Sequence, residues 1–267
     1  MTEPSPLPST AAAQAQPRIA VAIPCYNEAA AVAAVVGQWR AALPDAELVV
    51  FDNNSTDGTG DLARGLGVRV VEVSGQGKGY AVRAIFETLR DRAAVVLVDG
   101  DGTYPAEHVA GLLEPVLAGR ADMAVGARRP VAEAGAMTPV RGLGNVLIRG
   151  AFRLLIGRGP RDLLSGYRVF GPGFLRAVTP RSRGFEIETE LAAEAVAGRF
   201  RTVEVDVPYH PRIAGTVSKL RAFRDGRRIL ATIIARSLRL RPLRPLGLLA
   251  LIVGAAWGIV WMAFRAG

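Results

Sequence analysis

Asp99 and Asp101 stand one residue apart in AVVLVDGDGTYP, directly after the apolar run 93–98. Residues two apart on extended chain project to the same side, so both carboxylates can converge on one point. Two convergent carboxylates suit a hard divalent cation, which in turn suits a diphosphate. Gly100 and Gly102 let the backbone turn tightly beside a bulky ligand. The β-branched run before them reads as a buried strand entering a loop, the place where open parallel sheets bind ligands. An Asp-Gly-Asp alone is also the composition of a plain turn, so the reading as an enzyme of nucleotide-linked substrates depends on the rest of the chain.

Three further polar clusters each follow a short apolar run. Ile23-Pro-Cys-Tyr-Asn-Glu28 offers Tyr26 to stack on a base and Glu28 to accept hydrogen bonds from a nucleoside, while Asn27 has the chemistry of a helix cap. Asp52-Asn-Asn-Ser-Thr-Asp57-Gly-Thr places Asp52 at a strand end, where acidic residues bind ribose hydroxyls. Ser55 and Asp57 in the same cluster suit helix capping. Gly75-Gln-Gly-Lys78-Gly79 is a flexible loop with one cation before a helix N-terminus, suited to phosphate or a base carbonyl, without the Walker spacing.

The elements that must position these clusters alternate. Ile19–Ile23, Leu48–Phe51, Val68–Val73, Val95–Val98 and a shorter Met123–Val125 read as strands; Ala29–Leu43, Asp57–Leu66, Gly79–Asp91 and Ala106–Leu117 read as helices. Such alternation predicts an α/β layer fold with a largely parallel sheet. In the second half, 142–156 is an amphipathic stretch carrying Arg149 and Arg153, 185–197 a helix with an acidic start, 202–207 a strand, and 221–240 a basic amphipathic helix suited to an anionic membrane surface.

The chain of 267 residues can bury one substantial core with an appendage. Its single Cys25 excludes an intrachain disulfide, and His108 and His210 lack any zinc-ligand spacing. The net charge of +9 is concentrated: Arg221, Arg224, Arg227, Arg228, Arg236, Arg239, Arg241 and Arg244 precede an uncharged segment, 246–264, with Trp257 and Trp261 near its end. As a helix that segment would span about 28 Å, close to a bilayer's hydrocarbon core. The flanking arginines predict a single pass with the catalytic body in the cytoplasm. Phe223 is the one aromatic residue among the arginines of 221–244, which argues against nucleic-acid binding. Only two of the 33 basic residues are lysines, Lys78 and Lys219, and each falls inside a motif.

In order, P-C-Y-N-E, D-N-N-S-T-D-G-T, G-K-G and D-G-D-G-T-Y-P, followed by D-L-L-S-G-Y-R-V-F (162–170), G-F-E-I-E-T-E-L (184–191) and P-Y-H-P-R-I-A-G-T-V-S-K-L (208–220), resemble the family 2 glycosyltransferases of the GT-A fold. Within that family the set is similar to the dolichol-phosphate mannosyltransferase branch, and the resemblance covers most of the chain, Arg18 to Leu220. It implies a Rossmann-like, mostly parallel sheet flanked by helices, then a basic interfacial helix and one C-terminal transmembrane helix. The expected organisation is a flexible tail at 1–17, a catalytic domain at 18–215, a membrane-interface region at 216–245 and the span at 246–264.

The resemblance further implies that Pro24, Tyr26, Glu28, Asp52, Asp57 and Lys78 cradle the nucleoside and that Asp99 and Asp101 hold Mg2+ or Mn2+ against the diphosphate. Arg128, Ser165, Arg168, Arg212 and Lys219 would meet the acceptor phosphate or the donor diphosphate, with Asp101 and Arg168 assigned the catalytic roles. Where the family often has a Gln, this chain has Thr103, a poorer metal ligand. The expected reaction is an inverting transfer of a hexose from a UDP- or GDP-sugar to a polyprenyl phosphate at a bacterial cytoplasmic membrane, with membrane lipids as the other partner. A hydroxyl acceptor, with Asp162 as general base, and a membrane-tethered nucleotide-sugar binder without turnover are the alternatives.

Overall fold

The computed structural model describes residues 19–130, 139–219 and 221–247. The expected tail at 1–17 and all but the first two residues of the expected span at 246–264 lie outside them. Among the described residues no helix is long and apolar enough to cross a membrane.

The first half follows the expected alternation: β1 (Ile19–Cys25), α1 (Ala29–Ala42), β2 (Glu47–Asp52), α2 (Thr59–Gly65), β3 (Arg69–Glu72), α3 (Lys78–Leu89), β4 (Ala94–Leu97), and a 3-10 turn (Ala106–His108) running into α4 (Val109–Leu117). After it come β5 (Met123–Pro130), α5 (Pro139–Leu155), β6 (Arg168–Phe170), α6 (Pro172–Ala177), α7 (Ile187–Ala197), β7 (Thr202–Tyr209) and α8 (Ala222–Leu240). All seven strands form one sheet in the order β3-β2-β1-β4-β6-β5-β7.

Pairing is parallel except at β6, which runs antiparallel to both β4 and β5. Neither β6 nor α6 was expected from the sequence: three residues of strand and six of helix carry too little periodicity to register. β5 extends well past the expected Val125, because it pairs with β7 from Met123↔Thr202 to Pro130↔Tyr209.

β1 is apolar throughout because both its faces are covered. Val21, Ile23 and Cys25 pack with Val32, Val35, Val36 and Trp39 of α1 and Leu112 of α4. The alternate residues Ala20 and Ala22 pack with Val82, Ile85 and Phe86 of α3 and Leu191 of α7. Each fully buried Val, Leu or Ile contributes roughly 1.5–3 kcal/mol, so this two-sided core fixes the strand register from which the loops leave. A smaller cluster joins Ile148, Phe152 and Leu155 of α5 to Ala192 and Ala193 of α7 and Ile229 and Ile233 of α8.

That third cluster attaches the basic helix to the domain. Asp225, Ile229, Ile233 and Ser237 form its buried stripe at four-residue spacing, while Phe223, Leu230, Ile234 and Leu238 remain exposed, as do Val146, Leu147 and Leu154 of α5. The arginines of α8 divide between roles. Arg236 pairs with Glu190 and Glu194 of α7, and Arg224 and Arg228 turn toward the pocket described next.

Candidate active site

β1 to β3 step outward in one direction while β4 lies on the other side of β1, so the chain reverses between β1 and β4 and opens a crevice at their carboxyl ends. A pocket of about 700 Å3 occupies it, lined by Pro24, Tyr26 and Glu28 after β1, Asn53 after β2, Gln76 to Ala81 around the start of α3, and Asp99 to Asp101 after β4. The opposite wall comes from 183–185, Arg212, Ser218, Lys219 and the first turns of α8. Seven basic side chains line this pocket against four acidic ones, a surplus suited to phosphate groups.

Asp99 and Asp101 converge on the pocket, although by a turn rather than by strand alternation. β4 ends at Leu97, and both acids lie in the loop beyond it. Position 100 takes glycine because Cys25 packs against it: a Cβ there would lie 2.5 Å from Cys25 Sγ. Burial, with Glu28 and the nearby aspartates adding to it, pushes the Cys25 thiol well above its usual range, so Cys25 packs rather than reacts.

Asp101 is 3% exposed and held from both ends. Its Oδ1 accepts hydrogen bonds from Thr103 N at 3.0 Å and Thr103 Oγ1 at 2.7 Å, and Arg212 Nη1 lies 2.8 Å from Oδ2. Thr103 therefore orients the carboxylate through its hydroxyl. The loop after β7 stays in place by backbone bonds from His210 N to Thr103 O and from Ile213 N to Asp101 O.

Asp99 Oδ1 lies 2.5 Å from Lys78 Nζ, which is also 2.5 Å from Glu188 Oε1 on α7. Burial alone would lower the Lys78 pKa, but the two carboxylates outweigh it and keep the ammonium charged. On the other side of the pocket, Lys219 Nζ donates to Glu28 Oε1 and to Asn27 O, each at 2.9 Å. Burial raises the Glu28 carboxyl despite Lys219, and Glu28 Oε2 has no hydrogen-bond partner among the described residues.

The donor set fits a Mg2+-type ion. It is all oxygen, and such ions take one or two carboxylates with the remaining positions left to phosphates and water. Among the described residues no group of three or more His, Cys, Asp or Glu could hold a metal by itself. Asp99 and Asp101 are therefore residues that would share an ion with a bound diphosphate.

Several expected residues lie elsewhere. Asp57 accepts from Ala29 N and Thr59 N, both at 3.0 Å, and so caps α1 and α2. Asp52 Oδ1 accepts from Ser55 N at 3.1 Å, and a Cβ on Gly60 would meet its Oδ2 at 2.5 Å, so Asp52 braces the start of α2. Neither lines the pocket; Asn53 does instead, accepting from Gly77 N at 2.7 Å.

Arg168, on β6, is fully buried, its Nη2 donating to Leu163 O at 2.8 Å and its Nε to Ser165 O at 3.1 Å. In this structure it braces the 163–165 turn and does not reach the pocket. Ser165 Oγ donates to Gly126 O at 2.6 Å and is likewise buried. Arg128 is committed to Asp162 through Nε at 2.6 Å and Nη2 at 2.7 Å, and the pair lines a separate cavity of about 280 Å3 beside α5. Burial pushes the Asp162 carboxyl up, but Arg128 outweighs it and holds the group below its usual range. A carboxylate so stabilised is a weak general base.

Residues that sequence reasoning missed are Asn53, Gln76, Arg183, Glu188 and the inward arginines of α8. Gln76 and Asn53 neighbour motif residues and could have been read from the loops. Glu188, inside the 184–191 motif, stands behind the pocket wall against Lys78, and Arg183 reaches the pocket only because the 181–185 segment crosses the start of α3. There a Cβ on Gly77, at φ +133°, would lie 2.3 Å from Arg183 O.

With this geometry the chain can be set beside known proteins. Residues 20–142 match the profile described as Glycosyl transferase family 2. Glycosyltransferase AglJ of Haloferax volcanii is 38% identical over 225 residues, 84% of this chain and 74% of that protein. The polyprenol monophosphomannose synthase of Mycolicibacterium smegmatis is 34% identical over 76% of this chain and 81% of its own length. Among solved structures, glucosyl-3-phosphoglycerate synthase from Mycobacterium tuberculosis with Mn2+ and UDP-glucose superposes with a TM-score of 0.65 at 22% identity, over 84% of this chain and 80% of that one, which shows a shared α/β fold. Sequence, sheet topology and the crevice at the β1–β4 reversal converge, and the chain belongs to glycosyl transferase family 2, as a hexosyltransferase.

Proposed function

We propose that this enzyme transfers a hexose, with inversion, from a UDP- or GDP-linked donor to a polyprenyl phosphate at the cytoplasmic face of a membrane, and that it requires Mg2+ or Mn2+. The observation that carries the reading is the convergence of Asp99 and Asp101 on one pocket whose opposite wall is basic. In support, the M. smegmatis relative is named for a polyprenol phosphate product, and the M. tuberculosis neighbour was captured with Mn2+ and UDP-glucose.

When bound, a divalent cation would draw off charge developing on the departing diphosphate. The chain's own residues prepare for it. Thr103 and Arg212 hold Asp101 in one orientation, and Lys78 holds Asp99, so little reorganisation is needed as charge moves. Arg212, Lys219 and Arg183 supply positive charge on the pocket walls. Tyr26 and Asn53 offer a ring and an amide at the nucleoside end. A phosphate monoester has a second pKa of about 6 and is largely ionised near neutrality, so the nucleophile needs no base. This agrees with the engagement of Asp162 by Arg128.

We read the exposed apolar residues of α5 and α8, interspersed with arginines, as one face suited to anionic headgroups. Together with the segment 246–264 as a single pass, that face would bring the pocket to the plane where a lipid phosphate presents itself. The test is transfer of radiolabelled hexose from a panel of UDP- and GDP-sugars to polyprenyl phosphate in vesicles, with and without Mn2+. Lipid- and metal-dependent release of nucleoside diphosphate is expected. Binding of nucleotide sugar without turnover under every combination refutes the reading.

A further inference from the structure

Glu188, at the start of α7, is a buried acid that the proposed reaction does not use. It is 3% exposed, Oε1 lies 2.5 Å from Lys78 Nζ, and Oε2 has no hydrogen-bond partner among the described residues. Lys78 Nζ lies at the same time 2.5 Å from Asp99 Oδ1. One ammonium thus stands between two carboxylates, one in the pocket wall and one behind it. Burying a carboxylate is costly unless it is paired, so its place calls for a partner, and that partner is Lys78.

Packing keeps the three groups together. Gly79 N donates to Arg183 O at 3.1 Å, which joins the start of α3 to the segment leading into α7. Gly166 presses against Asp99 so closely that a Cβ there would meet Asp99 Oδ2 at 2.3 Å. The Asp99 carboxylate therefore has little room to swing away from the lysine.

Resting on the reading of Asp99 as a ligand for the cation, we infer that Glu188 is a positioning residue, the second counter-charge that lets Lys78 share Asp99 with a divalent ion. Lys78 and a divalent cation both seek the Asp99 carboxylate and repel each other. If Asp99 were its only partner, Lys78 would hold that carboxylate against the incoming ion. Glu188 gives the ammonium a second anchor and offsets its charge. It acts on the cation through Lys78, not by contact.

The experiment titrates full-length protein in detergent with Mn2+, following free Mn2+ by electron paramagnetic resonance, with and without UDP or GDP, and records thermal melts alongside. Glu188→Gln is expected to weaken Mn2+ binding about tenfold, while in a Lys78→Met background the same change shifts it less than about twofold. Lys78→Met alone should tighten binding, since it removes the competitor. Glu188→Asp keeps the charge on a shorter arm and should recover part of the affinity; it also serves if the Gln variant does not fold. Unchanged Mn2+ affinity with only a lower melting temperature overturns the inference, as does a tenfold loss that persists with Lys78→Met. Wild-type protein that takes up no Mn2+ under any condition overturns the cation reading of Asp99 and Asp101 and this role with it. That outcome is distinct from one in which wild type and Glu188→Gln bind equally.

Discussion

Arg212 Nη1 lies 2.8 Å from Asp101 Oδ2, although 110 residues and three strands separate them along the chain. The contact closes the pocket between the loop after β4 and the loop after β7, and it places a cation beside the acid expected to hold the metal. Asp101→Asn keeps the shape and removes the charge. Nucleoside diphosphate release should fall about a hundredfold or more, a chelator should reproduce the loss in the wild type, and added Mn2+ should restore it. Vesicle flotation should be unaffected. Near-normal turnover by the variant would refute the metal assignment.

Asp162 offers a test of the acceptor. Its carboxyl is ionised throughout the neutral range because Arg128, outweighing burial, holds it down. It should therefore contribute no inflection to the rate between pH 5 and 8. Asp162→Asn breaks a largely buried pair and should cost about 3 kcal/mol of stability, measured by urea denaturation. The pH–rate profile recorded at low temperature should keep its shape; loss of the acidic limb would revive a hydroxyl acceptor with Asp162 as base.

Arg236 ties α8 to α7 through Glu190, which is itself fully buried and accepts backbone hydrogen bonds from Arg181 at 2.9 Å and Ser182 at 2.6 Å. Arg236→Met leaves that carboxylate without its cation. A loss of about 3 kcal/mol is expected in equilibrium unfolding, together with weaker nucleotide binding by calorimetry, because the segment that Glu190 holds carries Arg183 to the pocket. Full stability in the variant would mean that α8 is attached by its apolar stripe alone.

Asp57 makes a pH-dependent contribution. Burial is the largest single influence and raises its carboxyl, but the hydrogen bonds from Thr59 and Ala29 together prevail and hold it below the ordinary value of 3.8. A folded-state value below the unfolded one means that the stabilisation is present above that pH and is lost as pH falls through the folded value. Asp57→Ala should cost about 1 kcal/mol at pH 7. The gap between wild-type and variant melting temperatures should narrow as the pH is lowered from 5 to 3; a constant gap would contradict a role for the ionised cap.

The side of the pocket formed by β1 to β4 was legible because each of its motifs follows a strand, and a strand's end fixes where its loop begins. Tyr26, Glu28, Lys78, Asp99 and Asp101 were all named from such positions, and all line the pocket. Asp52 and Asp57 were named by the same rule and serve as braces and caps instead. At a helix N-terminus an acidic residue meets free N–H groups as readily as a ligand, and the spacing alone does not distinguish the two. Arg168 lies away from the pocket for another reason: β6 inserts antiparallel between β4 and β5 and buries this basic motif residue.

Local composition determined the parallel sheet, its covering helices, the acidic pair and the basic character of 221–244, since periodicity and turn chemistry act over a few residues. Tertiary structure decided which arginines of α8 face the pocket, which one pairs inside with Glu190, and that Glu188 stands behind Lys78. Those outcomes depend on how α7 packs against α3 and α8, where residues from 46 to 110 positions apart come into contact and burial makes a charge seek a partner.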